Sequence, residues 1–416
     1  MRLFARSSIL WPIAAAILCG PSCIRAIGTV CVGALFRQED RHLVVAFSFA
    51  VTWINEYLLK NGSGRLETKV EFVMANPLNF YQVSKQFCSV VESGCSSAIF
   101  GGSDARLSSH LESLTEQLGI PYFKIAWTPR QGSLTINVSP QDHVIHALVD
   151  LIVHWKLNHL IIVYKEDARI IRLRYFLETP RLSRIKIHLI KIENGNFLEA
   201  AIRLSSAEKC KVDSSCPVAA RRVILDLDSS DLHQFLFSAL QCGLINSEHW
   251  YLLTSTDLRE FNLSLFRHNH VRITGFDLLN HTAQYLDHER LLSHVRTRWR
   301  EEERSPHYFP LTDAVLMFDA VFTFALTLLK SRKLGASGPV QCGLSMGRPV
   351  GVEAYGTAFY KATNAINEQG LTGNLKFADG GRVNVSLSVW QLNYDGDMSP
   401  VKQKQTENNL SSLNAI

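Results

Sequence analysis

Three groups of residues in this sequence have the types and spacing to do chemistry: the glycine turn Gly101-Gly102-Ser103-Asp104, a set of polar and aromatic residues at strand ends, and the cysteines. A phosphate cradle needs a P-loop or a GxGxxG spacing, so that successive backbone N–H groups converge on one anion, and Gly-Gly-Ser-Asp supplies neither. Metal binding needs thiolates, imidazoles or carboxylates at ligand spacing. His268 and His270, or His281 and His288, have no such neighbours, and no cysteine spacing is a zinc pattern, so no metal and no cofactor are expected. General-base work could fall to Asp226 at a strand end, whose other reading is a helix-capping or cleft-facing carboxylate. Neither HExxH nor a Walker A motif occurs, and no enzymatic activity is expected.

The glycine turn is positioned by its flanks. Ala98, Ile99 and Phe100 form the short apolar run of a strand covered on both faces. Ser103 is predicted to cap a helix whose Leu107, Leu111, Leu114 and Leu118 recur at steps of four, three and four, and Gly119 to end it. Ile120 to Ile125 reads as the next strand. The turn thus lies at a strand's carboxyl end, the edge where ligands sit in open α/β sheets. By the same rule Ser103, Trp127, Tyr164, Glu166 and Asp226 are predicted to line a cleft, although Trp127 and Tyr164 read equally well as core.

The same alternation extends in both directions. Residues 29–36 and 69–74 read as strands, and 41–60 and 78–91 as helices, the first with Leu43, Phe47, Val51, Ile54 and Leu58 on one face. A helix opened by Ser139-Pro140 leads to a second series, with strands at 159–164, 185–192, 223–227 and 250–253 and helices at 170–178, 197–205 and 232–243. Then the pattern breaks. A short strand at 271–278, a long apolar helix at 313–331 and a hairpin at 370–391, turning at Asp379-Gly380-Gly381, cannot finish the second sheet economically. Two sheets followed by elements shared between them imply an α/β clamshell with more than one crossover.

A chain of 416 residues, 46% hydrophobic and 19% charged, has the composition of a two-domain globular protein. Its net charge of +5 is dispersed, which leaves no electrostatic footprint for nucleic acid. The mixed-charge run Arg296 to Arg304 reads as a solvated helix face. Arg2 and Arg6, the apolar stretch Ile9 to Cys19 and then Gly20-Pro21-Ser22 make residues 1–25 a secretory signal peptide, too short to span a bilayer. Six sequons, at Asn61, Asn137, Asn262, Asn280, Asn384 and Asn409, agree with a secretory route. Asn384 alternates outward in its strand; Asn137 is doubtful, because a glycan there would crowd a crossover. The remaining cysteines are Cys31, Cys88, Cys95, Cys210, Cys216, Cys242 and Cys342, an odd number. Cys31 and Cys242 read as small buried hydrophobes. Cys210 and Cys216 are close in a polar loop and are either a disulfide or two thiols.

Several separated stretches resemble one family in order and spacing. Phe47-Ser48-Phe49-Ala50-Val51-Thr52-Trp53-Ile54-Asn55, Ser97-Ala98-Ile99-Phe100-Gly101, Ile224-Leu225-Asp226, Thr274-Gly275-Phe276-Asp277-Leu278-Leu279-Asn280 and Gly370-Leu371-Thr372-Gly373 are similar to the amino-terminal domain of kainate-type ionotropic glutamate receptors. Asp313-Ala314-Val315-Leu316-Met317-Phe318-Asp319-Ala320-Val321 resembles that family's long helix, and the likeness covers residues 28–395. Gly102 departs from the family's usual proline, and Cys210 to Cys216 falls in an extra loop.

The resemblance implies a bilobed fold of the type I periplasmic-binding-protein kind with three crossovers. On it rests an expected partition: 26–139 with 258–355 in the first lobe, 140–257 with 356–395 in the second, and 396–416 as a disordered tail. It implies a Cys88–Cys342 disulfide and a two-fold dimer through the first lobe, using the helices at 78–91 and 103–118. Tyr81, Phe87 and Ser109 are the expected interface residues, since apolar positions on the first of these helices spread wider than one packing stripe. It further implies a role in pairing receptor subunits, as homo- or heterodimers, with extracellular synaptic proteins as further partners. The place is then the secretory pathway and the cell surface, postsynaptic if a longer subunit follows. Membrane contact would come only through a downstream pore and glutamate clamp that this chain lacks. A secreted clamshell that closes on an amino acid is the other reading.

Overall fold

β1 (Thr29–Arg37) is apolar through most of its length, and it becomes the inner strand of a sheet because neighbours pair with it on both sides. The computed structural model describes residues 29–59, 64–74, 79–128, 132–208, 221–258, 263–278, 293, 297, 311–331, 342, 352–392, 396 and 398–401. The signal peptide, Cys210, Cys216, Asn61, Asn262, Asn280, Asn409 and the run 296–304, apart from residue 297, lie outside them.

From β1 the chain runs through α1 (Arg41–Trp53), β2 (Arg65–Val73), α2 (Phe80–Glu92), β3 (Ile99–Gly101), α3 (Ala105–Leu118), β4 (Tyr122–Lys124) and β5 (Thr135–Asn137). These five strands are parallel, in the order β5-β4-β3-β1-β2. α2 packs so closely on β1 that a Cβ at Gly33 would lie 2.3 Å from Val90 Cγ1, so only glycine fits there. Gly119 closes α3 at φ 74°, the left-handed cap expected of it. The capping residue at the other end is Asp104, whose Oδ1 accepts from Leu107 N–H at 2.8 Å. Ser103 was the expected cap; one position further on, the longer Asp side chain reaches the free N–H.

The second sheet is built from β6 (His159–Tyr164), β7 (Lys186–Lys191), β8 (Arg221–Asp226), β9 (His249–Leu253) and β10 (Arg272–Asp277), parallel in the order β10-β9-β8-β6-β7. α4 (Gln141–His154) and α6 (Arg174–Glu178) contribute to the core on one face, with α5 (Asp167–Arg172) just before α6; α7 (Phe197–Glu208) and α8 (Ser229–Gln241) contribute to the core on the other.

The partition between lobes differs from expectation in two places. β10, expected in the first lobe, pairs with β9 of the second. α9 (Leu311–Lys330) buries its apolar face in the first lobe, and residues expected in the second lobe build the first as well: α10 (Val352–Thr363), most of which lies past residue 355, buries its apolar face there, and β11 (Asn367–Gly370), β12 (Gly373–Ala378) and β13 (Gly381–Val383) extend its sheet. Asp379 and Gly380 turn the β12–β13 hairpin with φ of 49° and 71°, the positive values a two-residue turn favours. The alternation from Val383 to Val389 suggests one strand, but Asn384, at φ 57°, ends it. The chain then crosses to β14 (Ser388–Leu392), antiparallel to β10. One period of two had served two sheets.

β15 (Met398–Pro400) pairs with β14 at the sheet edge, so the first residues of the expected disordered tail are ordered; edge pairing uses backbone groups and needs no apolar pattern. Cys31 is likewise no isolated hydrophobe. Ser97 N–H donates to Cys31 O, which draws the segment before β3 against β1, and Cys31 is bonded to Cys95.

α9 is long and apolar enough to cross a membrane by length and composition, yet 78% of its apolar window is buried. It is the central helix of the first lobe's larger core, where Phe324 packs against Phe100, Phe123 and Phe359. Its Asp319 accepts Leu371 N–H at 2.8 Å and Thr372 N–H at 2.9 Å, while Arg382 Nη1 donates to Thr372 Oγ1 at 2.6 Å. The Gly370-Leu371-Thr372-Gly373 stretch is therefore a turn held by a helix carboxylate.

Candidate functional site: the cleft edges and the outer helical face

At the carboxyl end of β1, Arg37 donates to Asp40 at 2.8 and 3.0 Å and to Asp104 at 3.4 Å. Burial pulls Arg37 down, but the Asp40 hydrogen bond and charge, then Asp104 and Glu39, more than restore it, so the guanidinium is held above its ordinary value. Gly102 is needed in this arrangement: a Cβ there would approach Asp40 Oδ2 to 2.8 Å. The glycine turn thus admits a neighbouring carboxylate.

At the end of β8, Asp226 is fully buried. Its Oδ1 accepts from Thr254 Oγ1 at 2.7 Å and is paired with Arg172 and with Arg169, the latter at 3.5 Å. Arg169 also pairs with Asp228. Burial and the adjacent Arg169 charge pull Arg172 down to about 9. Asp226, expected at the cleft edge, is instead held among arginines beneath the surface. Tyr164 is half-buried and Glu166 exposed at the start of α5. Trp127, also half-buried, ties the lobes, because its Nε1 donates to Asp142 Oδ1 at the start of α4 at 2.8 Å. His143 on that helix hydrogen-bonds Arg382 O of β13 at 2.7 Å, a second tie. Among the described residues there is no group of three or more His, Cys, Asp or Glu able to hold a metal. Gly343-Leu344-Ser345-Met346-Gly347, unremarked so far, has the GxSxG spacing of a hydrolase nucleophile, but lies outside the described residues and follows no described strand, the context that motif needs.

The outer face of the first lobe differs. Asn79 caps α2 by accepting from Tyr81 N–H at 3.0 Å and Gln82 N–H at 3.3 Å. Beyond this cap Phe80 is 47% and Tyr81 77% exposed, and Phe72 and Met74 at the end of β2 are exposed too. Phe80 lies 4.8 Å from the His110 ring of α3, and Ser84 Oγ is 3.0 Å from His110 Nε2, which joins α2 and α3 into one face that also carries exposed Ser109. Burial lowers the His110 pKa, so this imidazole is neutral near pH 7. Phe87 belongs elsewhere: at 1% exposure it packs with Val83, Val90 and Leu111 in the core. As an expected interface residue it is corrected, because its ring is packed into the core rather than outward. Cys88 on α2 is bonded to Cys342.

Of the two described sequons, Asn384 is exposed between the sheets. Asn137 is buried, its Oδ1 accepting from Ser139 N–H at 3.0 Å and its N–H donating to Gly380 O at 2.7 Å.

Residues 42–395 match the family model described as the receptor family ligand binding region. The chain is 26% identical over 385 residues to "Glutamate receptor ionotropic, kainate 1" of Mus musculus, covering 88% of this chain and 43% of that protein. It is 25% identical over 380 residues to the Homo sapiens protein of the same name, with 88% and 39% covered. The chain therefore spans less than half the length of these curated relatives.

Proposed function

The chain belongs to the receptor family ligand binding region, and from that premise we propose that it is the extracellular amino-terminal domain of a kainate-like ionotropic glutamate receptor subunit, serving subunit pairing rather than glutamate capture. The observation that carries this reading is the state of the cleft edges. The strand ends that a clamshell sensor would offer to a ligand are filled by the chain's own ion pairs, Arg37 with Asp40 and Asp104, and Arg169 and Arg172 with Asp226. The exposed aromatics lie instead on the outer face of α2. The relatives are receptors, which favours a binding domain over an enzyme.

The partner is a second copy or a related subunit, joined across a two-fold axis through Tyr81 and Ser109; extracellular synaptic proteins are further partners of this surface. Asn384 is a glycan acceptor on the secretory route, as are Asn61, Asn262, Asn280 and Asn409. The location is extracellular or at the cell surface, with any pore and glutamate clamp supplied by a longer subunit. The competing reading, an amino-acid sensor, is tested by thermal unfolding. A ligand at 100 times its dissociation constant stabilises by about 2.7 kcal/mol, a shift of a few degrees. No shift is expected with millimolar glutamate or other amino acids, and a reproducible, saturable shift would overturn the pairing reading in favour of the sensor.

A further inference from the structure

The two ends of the second sheet are finished differently. At the carboxyl ends of its strands Arg169 and Arg172 are paired with Asp226 and Asp228. At the amino ends the strands bring basic residues together instead. Register places Arg222 of β8 opposite Trp250 of β9, and Trp250 opposite Arg272 of β10. The three side chains therefore lie in one row on one face, with the two arginines about 10 Å apart across two strand spacings. One residue nearer the strand starts, Arg221 is opposite His249, and Lys186 of β7 is opposite His159 of β6. Sheet pairing, and not sequence proximity, gathers these cations, which is why the charge looks dispersed along the chain.

The centre of the row is fixed by packing. Trp250 Nε1 donates to Thr274 Oγ1 at 2.8 Å, and its ring meets that of Trp155, just after α4, at a centroid distance of 4.3 Å. The exposed Arg272 guanidinium lies 5.7 Å from the Trp250 ring centroid. An aromatic face attracts a cation without taking its N–H donors, whereas a carboxylate would occupy them. Among the described residues no carboxylate pairs with Arg272 or with the exposed Lys156 and Lys186, and Glu248 at this edge is paired with Arg221 at 3.8 Å. Burial, and then the Arg272 charge, hold Arg222 below its ordinary value.

We propose that the amino-terminal edge of the second sheet, centred on Arg222, Trp250 and Arg272 and flanked by Lys156 and Lys186, binds a sulfated polysaccharide of the extracellular matrix. A guanidinium fork donates two parallel hydrogen bonds to an oxyanion such as sulfate. Sulfates recur along a linear chain, and these cations recur along a line of about 19 Å, the four strand spacings from β7 to β10. An anionic membrane would favour aromatic rings directed outward beside the charges, and Trp250 is only 8% exposed. The inference rests on the extracellular placement proposed above and not on pairing, which uses the other lobe, so the failure of one leaves the other standing.

The test is calorimetric titration of the secreted full chain with a heparin hexasaccharide. Polyanion binding releases counterions, so with about three charge contacts the affinity should fall at least tenfold between about 50 and 200 mM sodium chloride. Arg272→Ala is expected to weaken binding at least tenfold, and Arg272→Lys, which keeps the charge but loses the fork, at least threefold. Both should keep the wild-type unfolding midpoint, because Arg272 is exposed. Arg41→Ala, at an exposed arginine of the first lobe, should bind as the wild type does. Fully desulfated heparin and poly-glutamate, which offer carboxylates alone, should bind at least tenfold more weakly than the hexasaccharide. No binding of the hexasaccharide at the lower salt, wild-type affinity in either Arg272 variant, an equal loss in Arg41→Ala, equal affinity for poly-glutamate, or tighter binding to phosphatidylserine vesicles would each overturn the proposal.

Discussion

The cleft edges and the outer face of α2 are both surfaces of the first lobe, yet they are finished in opposite ways. At the cleft edge Arg37, Asp40 and Asp104 consume one another's charges, and the second lobe repeats this with Arg169, Arg172, Asp226 and Asp228. On the outer face Phe80 and Tyr81 are left uncovered, while Asn79 and the Cys88–Cys342 bond fix the helix that presents them. Ion pairs that close on themselves have little left to offer a small charged molecule. A rigid apolar patch has area to give a partner, and rigidity reduces the ordering cost of binding. Family membership alone does not distinguish these surfaces; their side chains do.

The largest expected effect breaks the outer face. Replacing Cys88 and Cys342 with serine opens a cross-link spanning 254 residues, which on the chain-entropy model removes about 5 kcal/mol from the first lobe. It also frees residue 342 from α2, so unfolding midpoints by denaturant and self-association should both fall. Unchanged stability would mean that the cross-link contributes little. The next effect sharpens the cleft. Asp226→Ala leaves Arg172 and Arg169 buried without their shared carboxylate and should destabilise the second lobe by about 3 to 5 kcal/mol, measured as the denaturant midpoint of that lobe's transition. Self-association should be unaffected. If Asp226→Ala were harmless to folding, the view of the β8 end as a structural ion pair would be wrong.

What the sequence discloses follows from how local each feature is. The strand, turn and helix around Gly101, the stop at Gly119 and the turn at Asp379-Gly380 are encoded within a few residues, and all are legible. The sheet to which β10 or β14 belongs depends on pairing partners far along the chain, so local periodicity is silent about it. β5 is three residues long and buried on every side, too short to show a period. Tyr81 and Phe87 are both aromatic on one helix, and only the packing of α2 on its sheet separates the exposed one from the buried one. The Cys31–Cys95 bond depends on the segment before β3 lying along β1, and the Asp257 cap of Thr312 on a contact between segments 55 residues apart; neither has a sequence pattern.

The smallest of these perturbations gives the most direct test of the central claim, that the outer face and not the cleft is the working surface. Sedimentation of the secreted, glycosylated chain at roughly tens of micromolar should show a reversible dimer. Tyr81→Arg should raise its dissociation constant at least tenfold, about 1.4 kcal/mol, without changing the unfolding midpoint. A wild-type chain that stays monomeric at that concentration, or a dimer that Tyr81→Arg leaves intact, would contradict the account.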